Sequence, residues 1–357
     1  MDTLENETLI KSVDSENMLQ SLMDMPDQIA DACRLWDAFV LPTHFVQAKQ
    51  IVILGVEAGA IAAHLVKELA QAVGRVPVEV VERSELPAYV SSQSLVVGID
   101  YSGQTEEILE GFRQAGGLGA KLLGVSAGGE LGALCRKYRA PHFHIQYGAP
   151  SRAALGYLLI PLLGLLARLG HVELDRRSLD QLPGYLRSFQ ARLVPKVPEV
   201  QNPAKQLARQ LSGKLPHVIA SGLLMPVARR WQEQLAQNAH SHAIVSSLAQ
   251  FSHSLVAGLD LPTAAQDLLV YVQLRSSHDG TLASLQQNLL ARLFGKLGRR
   301  HEELVPSPQG SVLEEQLALI VWGDYVSYYL ALLGGVDPAA SAHMMFLVEQ
   351  SQGNTDR

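Results

Sequence analysis

The chain has 357 residues, too many for one ordinary core and suited to two domains of typical size. With 47% hydrophobic and 18% charged residues its composition is globular, and a net charge of −6 leaves no basic footprint for nucleic acid. Its two cysteines, Cys33 and Cys135, exclude a disulfide framework, fit a reducing compartment and read as buried small hydrophobes.

The acidic opening, MDTLENETLIKSVDSENM, lacks the apolar core of a signal peptide. Residues 1–47 read as helical, with Met18, Leu19, Leu22 and Met23 at helical spacing and a stop at Pro42. Strands then alternate with helices. The strands are predicted at Ile51–Leu54, Val78–Val81, Leu95–Ile99, Leu122–Val125 and Phe143–Ile145, with helices notably over 59–72 and 105–116. That alternation implies a parallel, doubly wound sheet, whose ligands bind beyond the carboxyl ends of the strands. "GVEAGA" (55–60) and "DYSGQT" (100–105) occupy that edge.

The most apolar stretch, Ala153 to Gly170, contains Pro161 and stops at Arg168. Its uninterrupted part is too short to span a bilayer, so a buried helix and a cytoplasmic protein are expected. Residues 171–203 are richer in Pro and charge and read as helix plus linker. A second α/β unit follows, with strands at His217–Ala220 and Leu268–Leu274. Its helices are predicted at Pro226–Ala239, 284–298, 312–333 and near 339–349.

Several stretches together resemble one family, the bifunctional phosphoglucose/phosphomannose isomerases built from two sugar isomerase (SIS) domains. They are "ELPAYV", "DYSGQTEE", "GAPSRAALGY", "EQLAQNAH", "FSHS" and "WGDYVSYYLALLGGVDP", in order across nearly the whole chain. The resemblance implies a fold of two SIS-type doubly wound parallel-sheet domains after the N-terminal helical segment. The segments are then 1–47, a first domain over 48–172, a helical linker over 173–203 and a second domain over 204–357. It also implies a cytoplasmic homodimer that binds a sugar phosphate or other carbohydrate derivative, with no cofactor, no metal, no nucleic acid and no membrane.

The chemistry implied is interconversion of glucose 6-phosphate or mannose 6-phosphate with fructose 6-phosphate through an enediolate. By resemblance, Gly55, Gly59, Asp100, Ser102, Gly103, Gln104, Thr105 and Arg152 line the substrate, and His253 opens the sugar ring from the partner subunit. This chain departs from the family pattern at several of these positions. Gly59 stands at a serine position and Glu57 has entered the first loop. Asp100 replaces a serine, and Gln104 an asparagine. Gln237 stands where the family's catalytic glutamate would be, and Val348 where its lysine would be; Ser341 retains a hydroxyl nearby.

Two of these changes bear directly on function. A phosphate facing Asp100 and Glu57 meets repulsion of about 4 kcal/mol per charge pair at 4 Å and an effective dielectric of 20. Either acid has three ways out: to turn away, to take up a proton, or to pair with an arginine such as Arg152. An amide at Gln237 accepts no carbon-bound proton, and loss of a general base costs roughly 10²–10⁴-fold in rate. Glu233, one helical turn earlier on the same face, is the replacement candidate. An isomerase with a relocated base and a catalytically degenerate binding protein, regulatory or structural in role, both remain open.

Other motifs read more plainly. "HFH" (142–144) and "HSH" (240–242) lack a third ligand at zinc spacing, and Gly55/Gly59 do not form a dinucleotide fingerprint. Trp322, Tyr325, Tyr328 and Tyr329 read as core or dimer packing.

Overall fold

The computed structural model describes residues 3–260, 262–306, 310–339, 343 and 346. The N-terminal stretch is three helices, α1 (Glu7–Val13), α2 (Met18–Met23) and α3 (Met25–Ala38). Asn6 caps α1, accepting from the amides of Thr8 and Leu9. A break follows at Asn17, which adopts the left-handed conformation with φ 55°. Asp14, buried beside the break, accepts from the amides of Met18 (2.6 Å) and Leu19 (3.0 Å) and so starts α2.

Two parallel sheets follow. The first has strands β1 (Gln50–Leu54), β2 (Val78–Val81), β3 (Ser94–Ile99), β4 (Lys121–Ser126) and β5 (His142–His144), in the order β2-β1-β3-β4-β5. Its helices are α4 (Glu57–Ala70), α5 (Glu106–Gly117) and α6 (Gly129–Tyr138). The central strands are buried almost throughout because helices cover both faces, which is why they read as continuous Val/Ile/Leu runs. Chain direction across this sheet reverses between β1 and β3, so the loops 55–59 and 100–105 meet at the switch point.

Helices α7 (Leu155–Arg168), α8 (Arg176–Gln190) and α9 (Pro203–Leu211) lead to the second sheet. That sheet contains β6 (Leu215–Ala220), β7 (Ile244–Ser247), β8 (Leu269–Leu274) and β9 (His301–Leu304), in the order β7-β6-β8-β9. Between them lie α10 (Met225–Ala239), α11 (Leu248–His253), α12 (Thr263–Leu268) and α13 (Thr281–Lys296), and α14 (Val312–Gly334) closes the fold.

The fold class therefore agrees with expectation, and the strands and helices read from the sequence are present with shifted ends. Several elements were not legible, the short helices α9, α11 and α12 among them. The edge strands β7 ("IVSS") and β9 ("HEEL") are short and partly polar, which suits a sheet margin and hides the strand pattern. The helix α6 opens on two left-handed glycines, Gly128 (φ 129°) and Gly129 (φ 59°), which read as a loop. The helix expected near 339–349 lies almost wholly outside the described residues.

Helix α14 is long and apolar enough to cross a membrane by length and composition, yet 83% of its most apolar window is buried inside the fold. It packs on α9 and α10. Trp231 of α10 donates to the Leu319 carbonyl (2.9 Å) and packs against Gly323, where a Cβ would lie 2.3 Å from the indole nitrogen. Tyr325, Tyr328 and Tyr329 are fully buried, so the aromatic run is core. Both cysteines are buried too; burial pushes the Cys33 thiol up to about 11 and the Cys135 thiol up to about 12, which makes them inert at neutral pH.

Candidate functional site

The first loop leaves β1 at Gly55 and enters α4 at Glu57. Glu57 has φ 47°, a conformation that costs an L-residue about 1 kcal/mol relative to glycine. Gly59 sits against the next strand, and a Cβ there would lie 2.8 Å from the Ile99 carbonyl oxygen. Glycine is therefore a packing requirement at 59, and this loop supplies no hydroxyl. Replacing Glu57 by Gly is expected to raise thermal stability by about 1 kcal/mol, read as a rise of a few degrees in Tm. A fall in Tm would show that the glutamate's own contacts outweigh the backbone strain.

The second loop resolves the question raised by its acid. Asp100 is buried (8% exposed) at the end of β3 and turns back into its own loop. Its Oδ1 accepts from Ser102 Oγ (3.0 Å), and its Oδ2 accepts from the Thr105 amide (2.8 Å). The Gln104 amide donates to Ser102 Oγ (3.1 Å), and the Gly103 amide to the Asp100 carbonyl (3.2 Å). Gly103 accommodates the turn with φ 70°. The three amides entering α5 are thus satisfied within the loop, and the acid is the anion at that helix end. Asp100 turns inward rather than pairing with Arg152.

Arg152 lies in the 3₁₀ turn Ser151–Ala153 that precedes α7. Its Nε donates to Asn238 Oδ1 (3.0 Å), and one Nη donates to the carbonyls of Pro338 (2.9 Å) and Ala339 (3.0 Å). Asn238, wholly buried, also donates to Gln234 and Ser327. Arg152 therefore ties the first sheet's edge to α10 and to the segment after α14. Burial pulls its pKa down, and the Glu57 carboxylate opposes that shift. Beneath it, the buried Arg230 donates to the Arg152 carbonyl (3.0 Å) and to both oxygens of Asp324 (3.0 and 2.7 Å). The remaining Nη1 of Arg230 is buried without a partner among the described residues.

The exposed side of α10 carries the remaining chemistry. Arg229 holds Glu82, in the loop after β2, in a two-pronged pair (2.9 Å each), and His64 joins the same carboxylate at 3.0 Å. Glu233, next along this face, makes no hydrogen bond among the described residues. Burial pushes its carboxyl up to about 7, with Arg230 and Arg229 opposing the shift and Glu57 and Glu82 adding to it. Glu57 is thus within electrostatic range of both Arg152 and Glu233. A half-buried, unsatisfied carboxyl with such a value is suited to moving protons near neutral pH.

Known proteins resemble this chain in sequence and in fold. A family model for the bacterial phospho-glucose isomerase C-terminal SIS domain matches residues 200–347. A bifunctional phosphoglucose/phosphomannose isomerase from Caldicellulosiruptor bescii is 31% identical over 322 residues, covering 90% of this chain and 95% of that protein. The chain belongs to the bifunctional phosphoglucose/phosphomannose isomerase family. A second member of this family, from Aquifex aeolicus, is 28% identical and covers 73% of the chain and 77% of its own length. The C-terminal domain of glucosamine-fructose-6-phosphate aminotransferase from Francisella tularensis has the same fold, with a TM-score of 0.69 at 17% identity over 90% of this chain and 98% of that one.

Where α4 packs on α10, Glu57 of the first loop comes within electrostatic range of Arg152 and Glu233, and Arg152 bonds Asn238, the residue after Gln237. Gln237 is half-buried one turn beyond Glu233, with no side-chain hydrogen bond among the described residues. His253 is not brought there. It is exposed at the end of α11, which packs on β6, β7 and α13 of its own sheet. Val348 and Ser341 lie outside the described residues. The histidine pairs are separate matters: His142 bonds Ser126 Oγ (2.8 Å), while His144 is exposed.

Sequence reasoning missed two features. Arg230 with Asp324 sits under the site, and only the i-to-distant pairing reveals it. The second is the loop after β8, "RSSHDG", which repeats the design of the 100–105 loop. There Asp279 accepts from the Ser276 amide (3.0 Å), the Gln287 side chain (3.1 Å) and the Ser221 hydroxyl. The buried Glu315 accepts from the Ser277 amide and from both serine hydroxyls. Two serines and an acid directly after a strand were the available signal.

Proposed function

We propose that the chain is an aldose–ketose isomerase in which Glu233 has taken over the base's role. Glu233 removes the C2 proton of the open-chain aldose, and the electron pair left behind forms the C1–C2 double bond of an enediolate. The hydroxyl proton passes from O2 to O1, and Glu233 returns its proton to C1 to give the ketose. The observation that carries this is the Glu233 carboxyl itself: half-buried, free of hydrogen bonds among the described residues and raised to about 7 on the face shared with Gln237. Family relatives bear names that supply the reference substrates, glucose 6-phosphate or mannose 6-phosphate and fructose 6-phosphate. His253, exposed and remote within its own chain, acts at this site only from a second copy, so the active form in this proposal is a homodimer.

A coupled assay of the purified protein with fructose 6-phosphate, mannose 6-phosphate, fructose and mannose tests the reading. Turnover of any of these that survives Gln237→Ala and collapses in Glu233→Gln is expected. Turnover unaffected by Glu233→Gln overturns the assignment of the base. A non-catalytic protein that binds a carbohydrate derivative or a protein partner is favoured by one observation, the amide of Gln237 at the position matched to the family's glutamate. That reading requires that none of the four sugars is turned over.

A further inference from the structure

The 100–105 loop has the form of an anion cradle, with a serine, a glycine, a threonine and a helix N-terminus at the sheet's switch point. Four of its donors are nevertheless engaged from within: the Thr105 amide and Ser102 hydroxyl by the Asp100 carboxylate, the Gln104 amide by Ser102 Oγ, and the Gly103 amide by the Asp100 carbonyl. Glu106 and Glu107 add two more carboxylates on the first turn of α5. Arg152 spends its Nε and one Nη on Asn238 and on two carbonyls after α14. The second sheet treats its own switch-point loop alike, filling it with Asp279 and Glu315. The chain has thus supplied internal carboxylates at both places where a bound anion would sit.

We infer that Asp100 is a specificity-determining residue that excludes phosphate from the first loop, so that the sugar meets this loop with hydroxyl groups. The inference rests on the reading of this sheet edge as the sugar site, and it names the substrate class as an unphosphorylated aldose or ketose. An ionised carboxylate only accepts hydrogen bonds, and its oxygens have capacity beyond the two donors they already hold. Sugar hydroxyls are donors that match it. A phosphate oxygen is a second acceptor bearing the same charge, and it finds the Gly103, Gln104 and Thr105 amides and the Ser102 hydroxyl already engaged.

The test is calorimetric titration of the full chain with fructose 6-phosphate and with fructose, for the wild type, Asp100→Ser and Asp100→Asn. The asparagine variant keeps an oxygen for the Thr105 amide and so preserves the turn if the serine variant fails to fold. The wild type is expected to bind fructose 6-phosphate no more tightly than fructose. Both variants are expected to bind fructose 6-phosphate at least tenfold more tightly than the wild type, with a gain that salt erodes. Tighter binding of fructose 6-phosphate than of fructose by the wild type overturns the inference, and so does an affinity for fructose 6-phosphate unchanged by either substitution. If the wild type binds neither sugar measurably, a gain in the variants supports the inference and no gain overturns it. Absence of turnover alongside the expected binding pattern would fail the isomerase reading alone; turnover by a wild type that prefers the phosphorylated sugar would fail this inference alone.

Discussion

Glu233→Gln is expected to lower turnover by roughly 10²–10⁴-fold while leaving the fold intact, because it removes the group proposed to shuttle the proton and keeps its shape. In the wild type, kcat/KM should rise with pH through about 7, as the carboxyl gives up its proton and becomes a base. The same residue links to stability. Its folded pKa is raised from 4.5, so its contribution is fully present below about 4.5 and is lost as pH rises through about 7. The glutamine variant should therefore be the more stable protein at pH 8, by at most about 3 kcal/mol, and lose that advantage near pH 4. Denaturant unfolding at the two pH values, beside the rate profile, checks both parts. A stability difference independent of pH would show that Glu233 is not held in a desolvated position.

Asp324→Ala should be the more damaging change. Arg230 is 1% exposed and spends two hydrogen bonds on Asp324, so removing the acid strands a cation in the interior. Breaking such a pair from one side costs about 3–5 kcal/mol, whereas replacing both partners with apolar residues of similar volume is often nearly neutral. The pair Arg230→Met with Asp324→Leu should accordingly recover most of the loss, as measured by denaturant midpoint. Arg230 also donates to the Arg152 carbonyl, so the single variant should disturb the turn that carries Arg152 as well. Equal destabilisation by the single and double changes would locate the energy in packing rather than in the unpaired charge.

Much of the site was legible because it is local in the chain. The strand–loop–helix rhythm, the serine and glycine in "DYSGQT", and the spacing of Glu233 and Gln237 by one helical turn are all set within a few residues. Family membership followed from motifs in register. Helix α14 shows the boundary of such reading: its apolar run fits a membrane span, a dimer face or a core, and only its packing under Trp231 selects the core.

What the sequence determined by itself is the architecture of alternating strands and helices, the edge on which the site lies, and the substitutions that set this chain apart from its family. What only the tertiary structure decided is the state of each substituted group. Asp100 had three possible fates, and its short side chain took the one that satisfies amides in its own turn. The value of about 7 at Glu233 arises from burial and from carboxylates contributed by α4 and the loop after β2. Arg152 is occupied by carbonyls 186 and 187 residues further along the chain. Hydrogen-bond occupancy and proton affinity depend on desolvation and on neighbours through space, and those neighbours are assembled only when the two sheets and α14 come together.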